Sequence, residues 1–179
     1  MGRQNFQDGP YVDTMVSSPT ANAVNTITPL WVAAQWTPIF ANDPKAGKIY
    51  CVRAGGIVTS GTAGSTLVIT PNYGTGGTAL GASPAQALPA CTNIPWTCEA
   101  DLVWRVIGAP GTNSSAVLIG KFCMQGTLAT NGAGTVIPFG GTLVTNLDAS
   151  VNKNIEINTT FSAGANSIQP HFAYIFSRN

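Results

Sequence analysis

The chain has 179 residues, a formal net charge of +1 and 44% apolar residues, a length that fits a single all-β domain. Only 8% of the residues are Asp, Glu, Lys or Arg, against about 25% in an ordinary soluble domain, and the basic ones are scattered from Arg3 to Arg178, which excludes the clustered basic footprint of a nucleic-acid-binding protein. No segment approaches the roughly 18 uninterrupted apolar residues of a spanning helix, which excludes a helical membrane protein. What remains is a surface of Thr, Asn, Ser, Ala and Gly, polar enough for water yet cheap to desolvate against a partner. That is the composition expected of an assembly subunit. The chain starts with a polar, Pro-containing stretch and no apolar h-region, so synthesis and first use in a cytoplasm are expected.

Residues 1–29 show no sustained hydropathy period and carry Gly9, Pro10, Ser17, Ser18 and Pro19; they read as an extended N-terminal arm. Residues 30–179 read as one domain. It opens with the apolar and aromatic run LWVAAQWTPIF at 30–40, followed by a turn at 42–47 rich in Asn, Asp, Pro and Gly. The first clear strand is 48–60, with Ile49, Cys51 and Arg53 on one face, Tyr50, Val52 and Ala54 on the other, and Gly55-Gly56 permitting a bulge. A β-branched strand at 66–70 is closed by Pro71, Asn72 and Gly74. Gly76, Gly77, Gly81, Pro84, Pro89 and Pro95 punctuate 74–95, which reads as a long irregular connection.

Trp96 then opens a strand at 96–108, where Leu102, Trp104 and Val106 alternate with Asp101, Val103 and Arg105. A turn at 109–113 joins it to a strand at 116–128, and apolar residues on both faces place this hairpin centrally. A Gly/Pro-rich connection at 131–139 leads to a short apolar run at 142–147. The last two strands are 154–161, with Ile155, Ile157, Thr159 and Phe161 on one face, and 171–177, with Phe172, Tyr174 and Phe176 on one face. With no helical period anywhere, the pattern predicts an all-β fold: an antiparallel, jelly-roll-like β-sandwich with an extended N-terminal arm. An immunoglobulin-like sandwich is the alternative, which Trp104 fits but which no Cys pair brackets at the usual separation.

Residues able to carry chemistry are few, and no catalytic, cofactor-binding or metal-ligating residue is assigned. His171 is the only histidine; a general base there lacks a recognisable nucleophile and orienting acid, and hydrogen bonding at a strand end is the plainer role. Glu99 and Asp101 share a strand face, superficially a carboxylate pair, but glycosidase acids come from different strands, so a solvated or interface face is expected. Cys51, Cys91, Cys98 and Cys123 lack zinc-knuckle spacing and read as small buried hydrophobes, with Cys91–Cys98 the local candidate should a bridge form. Asp8, Asp13, Asp43 and Asp148 are isolated in turns, and the glycine-rich stretches at 74–77 and 131–134 lack a phosphate loop's Lys-Ser/Thr ending. Trp31, Trp36, Trp96 and Trp104 could stack sugars if exposed, although core packing and interfaces are the commoner fates.

The stretch Gly47-Lys48-Ile49-Tyr50-Cys51-Val52-Arg53-Ala54-Gly55-Gly56-Ile57-Val58, then Asn93-Ile94-Pro95-Trp96, Glu99-Ala100-Asp101-Leu102 and the closing Phe172-Ala173-Tyr174-Ile175-Phe176, resembles a recurring group of virion structural proteins of tailed bacteriophages. The likeness runs from Gly47 onward and leaves out the arm. It implies a jelly-roll-like sandwich, commonly a homotrimer, bound to the major capsid protein on the outer surface of a phage head as a decoration or cement protein. Residues 8–24 and the loops of 74–95 are then the expected contact regions. The runner-up is a tail-associated or receptor-binding component that recognises host-surface glycan. A secreted polysaccharide-active enzyme is a third class, whose turnover would depend on Glu99 and Asp101.

Overall fold

Alternation of core and solvent side chains organises the long segments of the chain, of which the computed structural model describes residues 11–13, 28–30, 38–61, 64–125 and 134–178. These form strands β1 (Tyr11–Asp13), β2 (Thr28–Pro29), β3 (Ile49–Ser60), β4 (Thr66–Tyr73), β5 (Thr78–Ala79), β6 (Gln86–Ala87), β7 (Cys91–Val106), β8 (Ser114–Met124), β9 (Thr135–Leu147), β10 (Ile155–Phe161) and β11 (Asn166–Arg178), with no helix among the described residues. A six-stranded sheet has the order β1-β11-β3-β7-β8-β9, and a five-stranded sheet runs β2-β10-β4-β5 with β6 also on β4. Every pairing is antiparallel. The β3/β11 pair in one sheet continues as the β4/β10 pair in the other. This is the wrapped double hairpin of a jelly roll, while β7, β8 and β9 form a plain meander beside it.

Several elements run longer than their sequence signals. The strand expected at 96–108 begins at Cys91, so the stretch Asn93 to Pro95 is strand and not turn; Asn93 absorbs the irregularity with φ 51°, next to a register shift between Val58 and Ser60. The strand expected to close at Pro71 continues to Tyr73. Pro71 turns its carbonyl to the Leu80 N–H (2.7 Å), so the donor it lacks faces the short β5 side and not β10. The connection expected at 131–139 is strand from Thr135, and β11 starts at Asn166, five residues before His171. Of residues 1–29, β1 lies at the edge of β11 and β2 at the edge of β10; the others, like 31–37, lie outside the described ones.

The core lies between the sheets. From the large sheet it takes Tyr50, Val52, Trp96, Leu102, Trp104, Leu118, Phe122, Ile137 and Ile168; from the small one Leu67, Ile69, Tyr73, Ile155, Ile157 and Phe161, all buried. Tyr73 meets Trp104 edge-on across the interior (centroids 5.5 Å, 78°), and Trp96 stacks on Phe122 (5.0 Å, 21°). Of the two faces that alternation gives β3, that of Tyr50, Val52 and Ala54 meets the core. At one end the buried hydroxyls of Ser60 and Ser65 meet at 3.0 Å and Ser65 donates to Asn166 Oδ1 (3.1 Å), tying β3, β4 and β11 together without orphaned groups.

The turn entering β3 is held by charge. Lys48 Nζ, 7% exposed, donates to Asp43 Oδ1 at 2.6 Å, and the Tyr50 hydroxyl donates to Asp43 Oδ2 at 2.5 Å. Burial pushes the Asp43 carboxyl up, but those two hydrogen bonds and the charges of Lys48 and Lys45 outweigh it and hold the carboxyl below its ordinary value of 3.8. The folded value being depressed, the stabilisation is present above the unfolded value and is lost as the pH falls through the folded one. Asp43→Asn is therefore expected to cost roughly 1 kcal/mol at neutral pH, discounted from a buried charged hydrogen bond because the carboxylate is 40% exposed. Urea unfolding should show the gap between variant and parent closing as the pH is lowered below the ordinary carboxyl range; a gap constant with pH would exclude the linkage.

Candidate functional site

Strand parity sends every second residue of the large sheet away from the core, and the registers of β11, β3, β7, β8 and β9 align these residues into rows. One row reads Phe172, Gly55, Thr97, Cys123, Val136; the next Tyr174, Arg53, Glu99, Lys121, Pro138; the third Phe176, Cys51, Asp101, Ile119, Gly140; the last Arg178, Ile49, Val103, Val117, Leu143. Among the described residues Cys51 in the third row is buried, but much of this face is open to solvent. It carries large apolar side chains in water: Ile119 is 61% exposed, Val136 58%, Leu143 54% and Phe172 44%. Such groups clustered on one face mark an interaction surface more often than a solvated one.

The polar residues of the face neutralise one another. Glu99 forms ion pairs with Arg53 and, at 3.5 Å, with Lys121, and with Asp101 and Ile119 they line an open depression of about 230 Å³. Asp101 accepts from the Cys51 thiol, and burial first, then that hydrogen bond and the Asp101 charge, push the thiol up to about 12. Along β11 the rings of Phe172, Tyr174 and Phe176 stack on each other (centroids 6.4 and 6.0 Å) and Arg178 caps the ladder 5.2 Å from the Phe176 ring. Phe172 lies across Gly55, where a Cβ would stand 2.6 Å from the ring, so the glycine is what lets the ladder lie down on the sheet.

The residues singled out from sequence fall as follows. Glu99 and Asp101 do share the outer face, as parity requires, with Glu99 between two cations. His171 is exposed and is the extra residue of a bulge, since Pro170 pairs with Gly56 and Phe172 with Gly55. The four cysteines are free. Cys91 and Cys98 lie on one continuous strand, where seven residues span about 23 Å, far beyond the roughly 7 Å limit for a bridge; the local pairing is thus overturned. Burial, with the nearby Cys123, pushes the Cys98 thiol up to about 12, and burial also raises Cys91, so both are unreactive hydrophobes at neutral pH. Trp96 and Trp104 are buried, whereas Trp31 and Trp36 lie outside the described residues. No group of three or more His, Cys, Asp and Glu converges among the described residues.

Comparison with family models, with curated proteins and with solved structures finds no match to this chain. The face must therefore be interpreted from its own chemistry. The sequence marks Glu99 and Asp101 as a solvated or interface face but does not single out its apolar members, although a signal is present: Val117 and Ile119 occupy the parity opposite Leu118 on β8, and apolar residues on both parities also fit a central position. β8 is central within its sheet, between β7 and β9, but only one of its faces is covered.

Proposed function

We propose that the chain is a non-enzymatic structural subunit of a virion, a decoration or cement protein that binds the outer surface of a phage head and stabilises it. The observation that carries this reading is the outer face of the six-stranded sheet, with four large apolar side chains exposed on it and Glu99 paired with both Arg53 and Lys121. A flat face of this kind suits burial against another protein: the apolar groups supply the driving force and the self-neutralised centre leaves few charges to strip of water. A chain with only 8% charged residues and its resemblance from Gly47 onward to tailed-phage virion proteins support the same assignment. In this reading the chain assembles in a host cytoplasm, associates as a homotrimer, and takes the major capsid protein as its partner. Repetition over the shell converts modest single-site affinity into firm attachment.

The experiment is light scattering on the purified chain, followed by mixing with undecorated heads and counting bound copies by densitometry. A stable trimer that saturates the shell at high copy number is expected. Heads that bind none, with binding instead to tails or host glycans, would overturn the assignment in favour of the receptor-binding reading.

A further inference from the structure

Independently of the proposed role, the small sheet holds a group of oxygen atoms that its own hydrogen bonding does not explain. In β10 the residues Ile155, Ile157, Thr159 and Phe161 face the core, so Glu156 and Asn158 face away from it; Asn72 of β4 stands directly across from Glu156, and Thr70 across from Asn158. This polar face is nonetheless buried: Glu156 is 2% exposed, Asn158 3% and Asn72 8%. Asn72 Nδ2 donates to the Gly77 carbonyl (3.2 Å), which fixes the direction of its amide, and Glu156 Oε2 accepts a long bond from the Gly76 N–H (3.4 Å). Glu156 Oε1, Asn72 Oδ1 and Asn158 Oδ1 are left without a hydrogen-bond partner. Three buried oxygens at neighbouring positions, none of them hydrogen-bonded, forfeit their hydration, and a bound cation would compensate all three at once.

The side chains nearby do not supply that charge. Among the described residues the ion pairs are Lys48–Asp43, Arg53–Glu99 and Lys121–Glu99. The Lys153 side chain lies along Gly74, where a Cβ would stand 3.0 Å from its Cδ and 3.4 Å from its Nζ, and makes no ion pair with Glu156. We propose that Glu156, Asn72 and Asn158 form a binding site for a hard divalent cation of the calcium class, clamping β4 to β10 beside the 74–77 turn. The donor set selects the ion: one carboxylate and two amide oxygens, with no imidazole or thiolate, suit calcium and not zinc. A single carboxylate places the site among weak ones, with a dissociation constant on the order of 10⁻⁴–10⁻³ M.

The test is thermal unfolding of the full chain in EDTA and in rising calcium chloride, with equilibrium dialysis of calcium for stoichiometry. One ion per chain is expected, and calcium at about 100 times its dissociation constant should raise the midpoint by roughly 5–10 °C. Glu156→Gln should lose both the bound ion and the rise. Asn158→Asp, which adds a second carboxylate, should be destabilised in EDTA, be rescued by calcium and reach half-saturation at a lower calcium concentration than the parent. A midpoint in the parent that is the same in calcium and EDTA, a rise retained in Glu156→Gln, or an Asn158→Asp variant destabilised equally with and without calcium would each overturn the site and leave ordered water in its place.

Discussion

Phe122→Ala is expected to cost about 3–5 kcal/mol, a large part of the 5–15 kcal/mol that typically separates folded from unfolded chains. Phe122 is fully buried on β8, stacked on Trp96 of β7 with centroids 5.0 Å apart. Both residues sit in the middle strands of the large sheet, with β3 on one side and β9 on the other. The sheet backbone fixes the positions of the neighbours, so the site cannot collapse around the lost ring, and a cavity adds to the lost transfer energy. Urea unfolding followed by tryptophan emission reads the effect. Phe122→Leu, which keeps most of the volume, should lose clearly less. Equal losses for Leu and Ala would mean that the stack with Trp96, and not the filled volume, carries the stabilisation.

The second large effect is on association. The double variant Ile119→Lys, Leu143→Glu keeps the net charge unchanged and sets the new lysine opposite Asp101, its cross-strand neighbour. Both positions are more than half exposed, so the stability of the isolated chain should change by no more than about 0.5 kcal/mol. On the proposed role, binding to heads should weaken about a hundredfold or more, since two apolar contacts at a desolvated interface are replaced by charges that must be stripped of water. Densitometry of decorated heads against free protein measures it. Parental saturation by the double variant would move the contact surface elsewhere, to the exposed residues of 75–79 or to the arm.

How much of this was legible in the sequence depends on which force sets each feature. The all-β architecture and the core parity of β10 could be read directly, because alternation is a local record of which face meets the core; on β11 the aromatic face of Phe172, Tyr174 and Phe176, expected to be buried, turns outward instead, and the smaller Ala173 and Ile175 meet the core. Strand ends could not be read. Pro71, Pro95 and Pro138 look like breakers, yet each is inside a strand, held there by pairing across the sheet that no local window contains. Cys91 and Cys98 looked like turn neighbours for the same reason. The outer face was half legible: Glu99 and Asp101 were placed together by their spacing, but the row joining Tyr174, Arg53, Glu99, Lys121 and Pro138 comes from four registers between segments far apart in the chain. The orphaned oxygens of Glu156, Asn158 and Asn72 left no trace in the sequence, since a polar residue opposite a core residue normally signals solvent.

β9 bounds the large sheet, and a 13-residue strand at a sheet edge is long enough to recruit another strand and start a fibril. Its backbone is broken up along the way. Pro138 lacks a donor, Gly140 and Gly141 turn through φ 83° and 90°, Asn146 through 62°, and the pairing with β8 shifts register between Ser114 and Ala116 and between Val117 and Ile119. A straight incoming strand therefore finds only short matching runs before its ladder falls out of step. The same kinks that spoil the regularity of the edge make it a poor template for backbone pairing with another copy of this weakly charged chain.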